Sequence, residues 1–374
     1  MTNPVITPAG DPAEPQTPAV ADTTTAASGS ASRTLSLPQP LAWFVRRWKG
    51  NPLFSTGFAL VVMVVVQSIV LAYQAPDLAT WLTKLPQNWI NILRNNASIG
   101  IISLGMTLVI ITGGIDLAVG STLVAVGAIV MLMIDTGSAG ILTSIGITGP
   151  VAYAIAILVG AAAGFLLGEL TGLLVTKGKL PPFIATLGTM AILRSVTQYL
   201  MTGRTPRVPV EFTQIANLTI GGQYLMQIIY WLVLAVIVWF ISKKTVFGRQ
   251  VIAVGSNPRA ALLSGVNVQA VKRRVYVLLG VLVSFAAVLQ VARIGSMDYA
   301  NAGSGYEMDA ISAVVVGGTS MAGGRGTIIG TVFGALIIGV MNNLLNIMGV
   351  PPLLREAFKG AIVIGAVLLQ KNEG

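Results

Sequence analysis

A single carboxylate, Asp116, stands in an apolar stretch that runs from Ile99 to Ile134. Two glycines, Gly113 and Gly114, lie just before it. Glycines weaken a helix and permit backbone angles closed to other residues. The run after Asp116, "LAVGSTLVAVGAIV", is apolar enough to start a new helix. A carboxylate at that start accepts from free N–H groups and meets the positive end of the helix dipole, which is worth about 0.5–2 kcal/mol. This offsets part of the cost of a charge in apolar surroundings. A second reading is compatible with the first: a helix broken at membrane depth lines a pathway.

Other chemistry is sparse. The chain has no histidine and no cysteine, which removes thiol, disulfide and imidazole chemistry and leaves no metal site to propose. No Gly-x-x-x-x-Gly-Lys-Ser/Thr string occurs, so the chain has no phosphate loop of its own. Any energy from ATP must come from a separate subunit, and no cofactor is expected here. A neutral polar solute would need hydroxyl or amide partners. The embedded candidates are Asn95, Asn96, Thr107, Thr112, Ser121, Thr186, Gln198, Asn342 and Asn343. Trp89, Phe183 and Tyr306 offer aromatic faces for stacking. Each serine or threonine can instead bond back to its own helix. The asparagines can equally join helices to one another. Glu169 lies within an apolar run and needs a partner, for which Arg194 is the candidate, while Glu307 and Asp309 open a span in "GYEMDAIS".

The elements that hold these residues are membrane helices. The chain has 374 residues, 54% hydrophobic and 10% charged, with a mean hydropathy of +0.80. A soluble domain carries about 25% charge. Continuous apolar runs of about 20 residues suit spanning helices. They do not alternate as barrel strands would. The fold class expected is all-α and polytopic. Ten spans are predicted: Leu53–Tyr73, Trp89–Thr112, Leu117–Ile134, Pro150–Thr176, Pro182–Met201, Tyr224–Ser242, Val275–Val291, Tyr306–Ser320, Thr327–Met348 and Leu353–Leu369. Some of these are expected to be broken or re-entrant, with breaks at Gly113–Gly114 and Gly317–Gly318. Residues 1–40 are rich in Pro, Thr, Ala and Ser and read as a disordered tail, and 41–374 as one transmembrane domain.

Net charge is +10, with basic groups at Arg46–Lys49, at Lys177 and Lys179, and from Lys243 to Arg274. This is a membrane-orientation signal, with no nucleic-acid role. Placing these groups in the cytoplasm puts both termini inside and the loops around Asp77, Asp135 and Asp298 outside. Arg204 and Arg207 run mildly against that rule. Two internal echoes suggest a repeated architecture. "GGIDLAVG" from Gly113 aligns with "GGTSMAGG" from Gly317, and "KLPPFI" from Lys179 with "GVPPLL" from Gly349.

Three long segments carry a family resemblance. They are "LGMTLVIITGGIDLAVGS", "FGRQVIAVGSNPRAALLSGVNV" and "MDAISAVVVGGTSMAGGRGTIIGTVFGALIIGVMNN". The chain from about Asn91 onward resembles the permease subunits of bacterial ABC sugar importers of the ribose type. That resemblance implies about ten membrane helices in the bacterial inner membrane and a dimer with a second permease copy or paralogue. It also implies cytoplasmic ATPase subunits and a soluble substrate-binding protein outside. Branched-chain amino-acid and nucleoside permeases are more distant relatives that lack the Gly-Ile-Asp-Leu-x-Val-Gly string, which favours a monosaccharide or polyol. The 243–274 stretch is then the loop that docks the ATPase. Its "RAALLSG" has the spacing of the coupling motif Glu-Ala-Ala-x-x-x-Gly, with Arg259 in place of Glu. The coupling residues so implied are Pro258, Arg259, Ala260, Ala261 and Gly265. An ion-coupled carrier working without an ATPase is the alternative. A membrane enzyme lacks a nucleophile and base set.

Overall fold

The computed structural model describes residues 52–137 and 140–371, so the tail and Arg46–Lys49 lie outside the described residues. The chain is helical, with one short hairpin. In order, the helices are α1 (Pro52–Gln74), α2 (Leu78–Ile111), α3 (Val119–Ile134), α4 (Ile141–Ser144), α5 (Gly149–Thr176), α6 (Pro182–Met201) and α7 (Val210–Asn217). Then follow β1 (Thr219–Ile220) and β2 (Gln223–Tyr224), antiparallel with Thr219 opposite Tyr224. The rest are α8 (Met226–Lys244), α9 (Val246–Ser256), α10 (Pro258–Leu263), α11 (Val268–Ile294), α12 (Tyr306–Val316), α13 (Ile328–Ile347) and α14 (Pro352–Lys371).

Each expected span falls on a helix. Among the described residues, six helices are long and apolar enough to cross a bilayer: α1, α2, α5, α8, α11 and α13. Helix α3 is apolar but shorter. Several boundaries move, among them the start of α11, which lies at Val268 and not at Val275. Helix α2 begins at Leu78, because Asp77 caps it by accepting from Thr80 N at 2.7 Å. The Thr80 hydroxyl, and after it that backbone bond, hold the Asp77 carboxyl below its usual range. The span expected from Tyr306 to Ser320 ends at Val316, where a glycine loop takes over. Tyr224 belongs to β2, not to the start of α8. The expected basic loop 243–274 is itself helical, made of α9, α10 and the first turns of α11.

Lipid offers no hydrophobic drive for helix pairing, so close packing must hold such helices together. The seam between α5 and α11 shows how. A side chain on Gly164 would sit 2.5 Å from Gly280 O, and one on Gly168 2.5 Å from Tyr276 O. Helix α2 is buried along its second half, and Gly100 there leaves room for the Trp231 ring of α8. Across this core, the hydroxyls of Thr107 on α2 and Thr331 on α13 meet at 2.6 Å.

Both sequence echoes have local counterparts. Asp116 Oδ1 accepts from Ala118 N at 2.8 Å, and Ser320 Oγ, its aligned partner, accepts from Ala322 N at 3.3 Å. Each turns the chain just after a helix ends. In the second echo, Lys179 has φ 53° and the aligned Gly349 φ 74°. Each then leads through a Pro-Pro pair into a helix, α6 or α14. Lys179 is the one non-glycine among the described residues in that left-handed region, where a Cβ is unfavourable.

Candidate functional site

The site is built from two interrupted helical hairpins. Helix α2 stops at Ile111, and α3 starts at Val119. Helix α12 stops at Val316, and α13 starts at Ile328. Thr112 closes α2, its hydroxyl donating to Val109 O at 2.8 Å. Gly113 turns the chain with φ 74°. Gly114 leaves space for the Tyr276 hydroxyl, which donates to Ile115 O at 3.2 Å. Asp116 is 7% exposed. The expectation that it caps the new helix needs correction. Ala118 occupies the cap position without a side-chain bond, and the carboxylate acts two residues earlier by binding the Ala118 N–H.

The second break meets the first. Gly324 N donates to Ile111 O at 2.9 Å, joining the two interruptions backbone to backbone. Gly317 packs against the backbone of Gly330 at 2.5 Å, measured from where its side chain would start. Gly318 follows with φ 85°. On the far side of α3, Gly120 admits Gly303 and Glu307, whose Oε2 lies 3.0 Å from that same position. Ser121 is 1% exposed, and its hydroxyl has no hydrogen-bond partner among the described residues.

The other sequence candidates scatter. Asn96 donates to Ala335 O at 2.6 Å, joining α2 to α13. Asn343 Oδ1 accepts from Gln67 at 3.2 Å and Asn88 at 3.3 Å. Asn342 stands beside Asp309. These amides hold helices together. Asn95 is exposed and accepts from Arg293 at 2.9 Å. Thr186 donates to Pro182 O of its own helix at 2.8 Å. Phe183 is 55% exposed, in the first turn of α6. Glu169 pairs with Arg273 at 3.5 Å, not with Arg194. The α5–α11 seam brings Glu169 to α11, whereas Arg194 donates to Ala302 O at 2.7 Å.

Two groups escape the sequence reading. One is Tyr276, which lies in an apolar run with nothing local to tie it to Ile115. The other is a buried charge cluster. Lys359 Nζ on α14 lies 3.0 Å from Asp309 Oδ1 and 3.0 Å from Glu356 Oε1, and donates to Asp309 Oδ2 at 3.1 Å. Its signal was an unexplained lysine in the last apolar run.

Below the breaks, Asn257 caps α10 by accepting from Ala260 N at 3.0 Å. Gly265 ends the turn with φ 81°. Pro258, Arg259 and Gly265 line an open cleft of about 590 Å³ with the first turn of α11. Ala260 is exposed but Ala261 is 5% exposed and packs into the core. The outward face is Arg259 with Leu262 and Leu263, the last 89% exposed.

Against known proteins, the family described as "Branched-chain amino acid transport system / permease component" matches residues 88–367. The chain belongs to this permease family. The permease is 41% identical to the ribose import permease of Bacillus subtilis (strain 168), over 77% of its own length and 86% of that protein's. It is 40% identical to the ribose import permease of Escherichia coli (strain K12), over 76% and 86%. With the galactose/methyl galactoside import permease of the same strain it shares 38%, over 84% and 93%. No solved structure matches the permease. Its predominantly helical architecture, with six helices long and apolar enough to cross a membrane among the described residues, agrees with that membership.

Proposed function

We propose that this chain is the translocation subunit of an ATP-driven importer for a monosaccharide or related polyol. The observation that carries the reading is the similarity to ribose and galactose import permeases over most of both chains. The structure supports it with two interrupted hairpins whose breaks meet inside the core. Interrupted helices at depth are where membrane carriers handle solutes. A neutral sugar needs bonding groups without a fixed counter-ion. The unpartnered Ser121 hydroxyl, Thr112 and Asp116 stand around the first break and form the core of the pathway in this reading.

ATP hydrolysis belongs to a separate cytoplasmic subunit, because the chain has no phosphate loop. Helix α10 is its contact. The 243–274 stretch holds seven basic residues and no acidic one, which sets it in the cytoplasm. Both termini then lie inside, and the β1–β2 hairpin faces out. The protein resides in the bacterial cytoplasmic membrane, pairs with a second permease copy or paralogue, and receives its solute from a soluble binding protein.

The test is reconstitution in liposomes with the ATPase and binding protein that co-purify. ATP-dependent uptake of labelled ribose or galactose is expected. Uptake by the permease alone, driven by an ion gradient, would replace this reading with an ion-coupled carrier.

A further inference from the structure

The end of α9 touches both helix breaks at a point where the contacts are mostly backbone. A side chain on Gly255 would collide with Ile111 O and lie 2.7 Å from Gly324 N. Gly324 N is already bonded to Ile111 O at 2.9 Å. A side chain on Gly323 would lie 3.2 Å from Gly255 O and 3.4 Å from Gly113 N. One on Gly324 would lie 2.8 Å from Ser256 Oγ and 2.9 Å from Ser256 Cα. Three segments, from α2, α9 and the loop after α12, therefore meet backbone against backbone, with the short Ser256 side chain beside them. Side chains can absorb a displacement by changing rotamer, while touching backbones within a packed interior pass it on.

What lies next to this contact gives it a role. Two residues beyond Gly255, Asn257 caps α10. On the other side of α10, Asn267 caps α11 by accepting from Ala270 N at 2.9 Å. Two turns further on, Tyr276 reaches Ile115 of the first break. Helix α10 is thus tied to the same break through the chain before it and the chain after it.

We propose that Gly255, Gly323 and Gly324 form a clasp that carries movement of α10 to both helix breaks. The proposal rests on the reading of α10 as the ATPase contact. Gly255 is a positioning residue: it touches no solute and acts through Ile111 and Gly324. The clasp moves as one body, so the three segments stay in register while the hairpins around them shift.

The whole transporter, with its ATPase and binding protein, is the test object. Gly255→Ala should keep the ATPase bound and hydrolysing while uptake is lost. Normal uptake in that variant overturns the clasp. A second variant removes dependence on the alanine's folding. The chain has no cysteine, so Ala253→Cys with Ala322→Cys, both exposed and outside the clasp, carries one spin-label pair, on α9 and on the loop after α12. The distance between the labels should be the same in the nucleotide-free and the ATP-trapped transporter. A distance that changes between the two states shows the segments sliding apart and overturns the proposal. In parallel, Arg259→Glu with Leu263→Asp should shed the ATPase. If the ATPase stays bound and coupled there, the reading of α10 fails, and that failure is visible separately from the clasp results.

Discussion

Asp116 shows how much one residue's surroundings reveal. Its neighbours Gly113 and Gly114 announce a break, and the structure has one there. Its manner of acting was not legible. Which N–H it binds depends on where the next helix starts, and that is set by tertiary packing of α3. The carboxylate satisfies the buried Ala118 N–H. Asp116→Asn keeps an acceptor and should fold with nearly unchanged stability. Asp116→Ala leaves the N–H unpaired and should lower stability by about 1–3 kcal/mol, read as a lower unfolding temperature in detergent. If Asn folds and assembles but uptake vanishes, the charge itself serves transport. Glu169 shows the opposite case. Its need for a partner was evident from its apolar neighbours, but Arg273 was chosen by the glycine seam between α5 and α11, which local spacing does not encode.

At the scale of elements, the spans were readable because apolar runs declare themselves, while their ends and faces were not. Helix α10 is an instance. Its proline start and glycine end are written in the sequence, but the burial of Ala261 depends on the tertiary core it packs into. Ala261→Trp should therefore damage the permease's own fold and lower its yield in membranes. Leu263, 89% exposed, carries the outward surface instead. Leu263→Asp alone should leave yield unchanged and weaken ATPase co-purification. Helix α14 is held differently. Lys359 and Asp309 are 8% and 3% exposed, and breaking a buried ion pair by removing one partner costs about 3–5 kcal/mol. Lys359→Met should show that loss in thermal unfolding. Exchanging the two residues, Asp309→Lys with Lys359→Asp, should recover part of it.

For the whole molecule, the class was legible in composition, and the orientation proposed above rests on the distribution of lysine and arginine. The meeting of the two breaks did not, because the residues that join are far apart in sequence and bond through backbone alone. Orientation can be checked directly, since any introduced cysteine is the sole one. A cysteine at Leu263 should react with a membrane-impermeant thiol reagent only in inside-out vesicles. One at Gly221, in the β1–β2 turn, should react only in right-side-out vesicles or intact cells. Labelling of both from the same side would rule out the proposed topology.

The Lys359–Asp309 pair also bears on how the protein is made. Helix α14 emerges after α12 during synthesis, and its first half carries Arg355, Glu356 and Lys359. Such a segment partitions poorly into lipid by itself. Asp309 lies on α12, which has already been synthesised by then, so a carboxylate is available to receive the lysine. Entry of α14 into the bilayer is in this view a docking step onto α12. A ribosome-bound chain with Asp309→Leu should leave α14 outside the membrane, open to added protease.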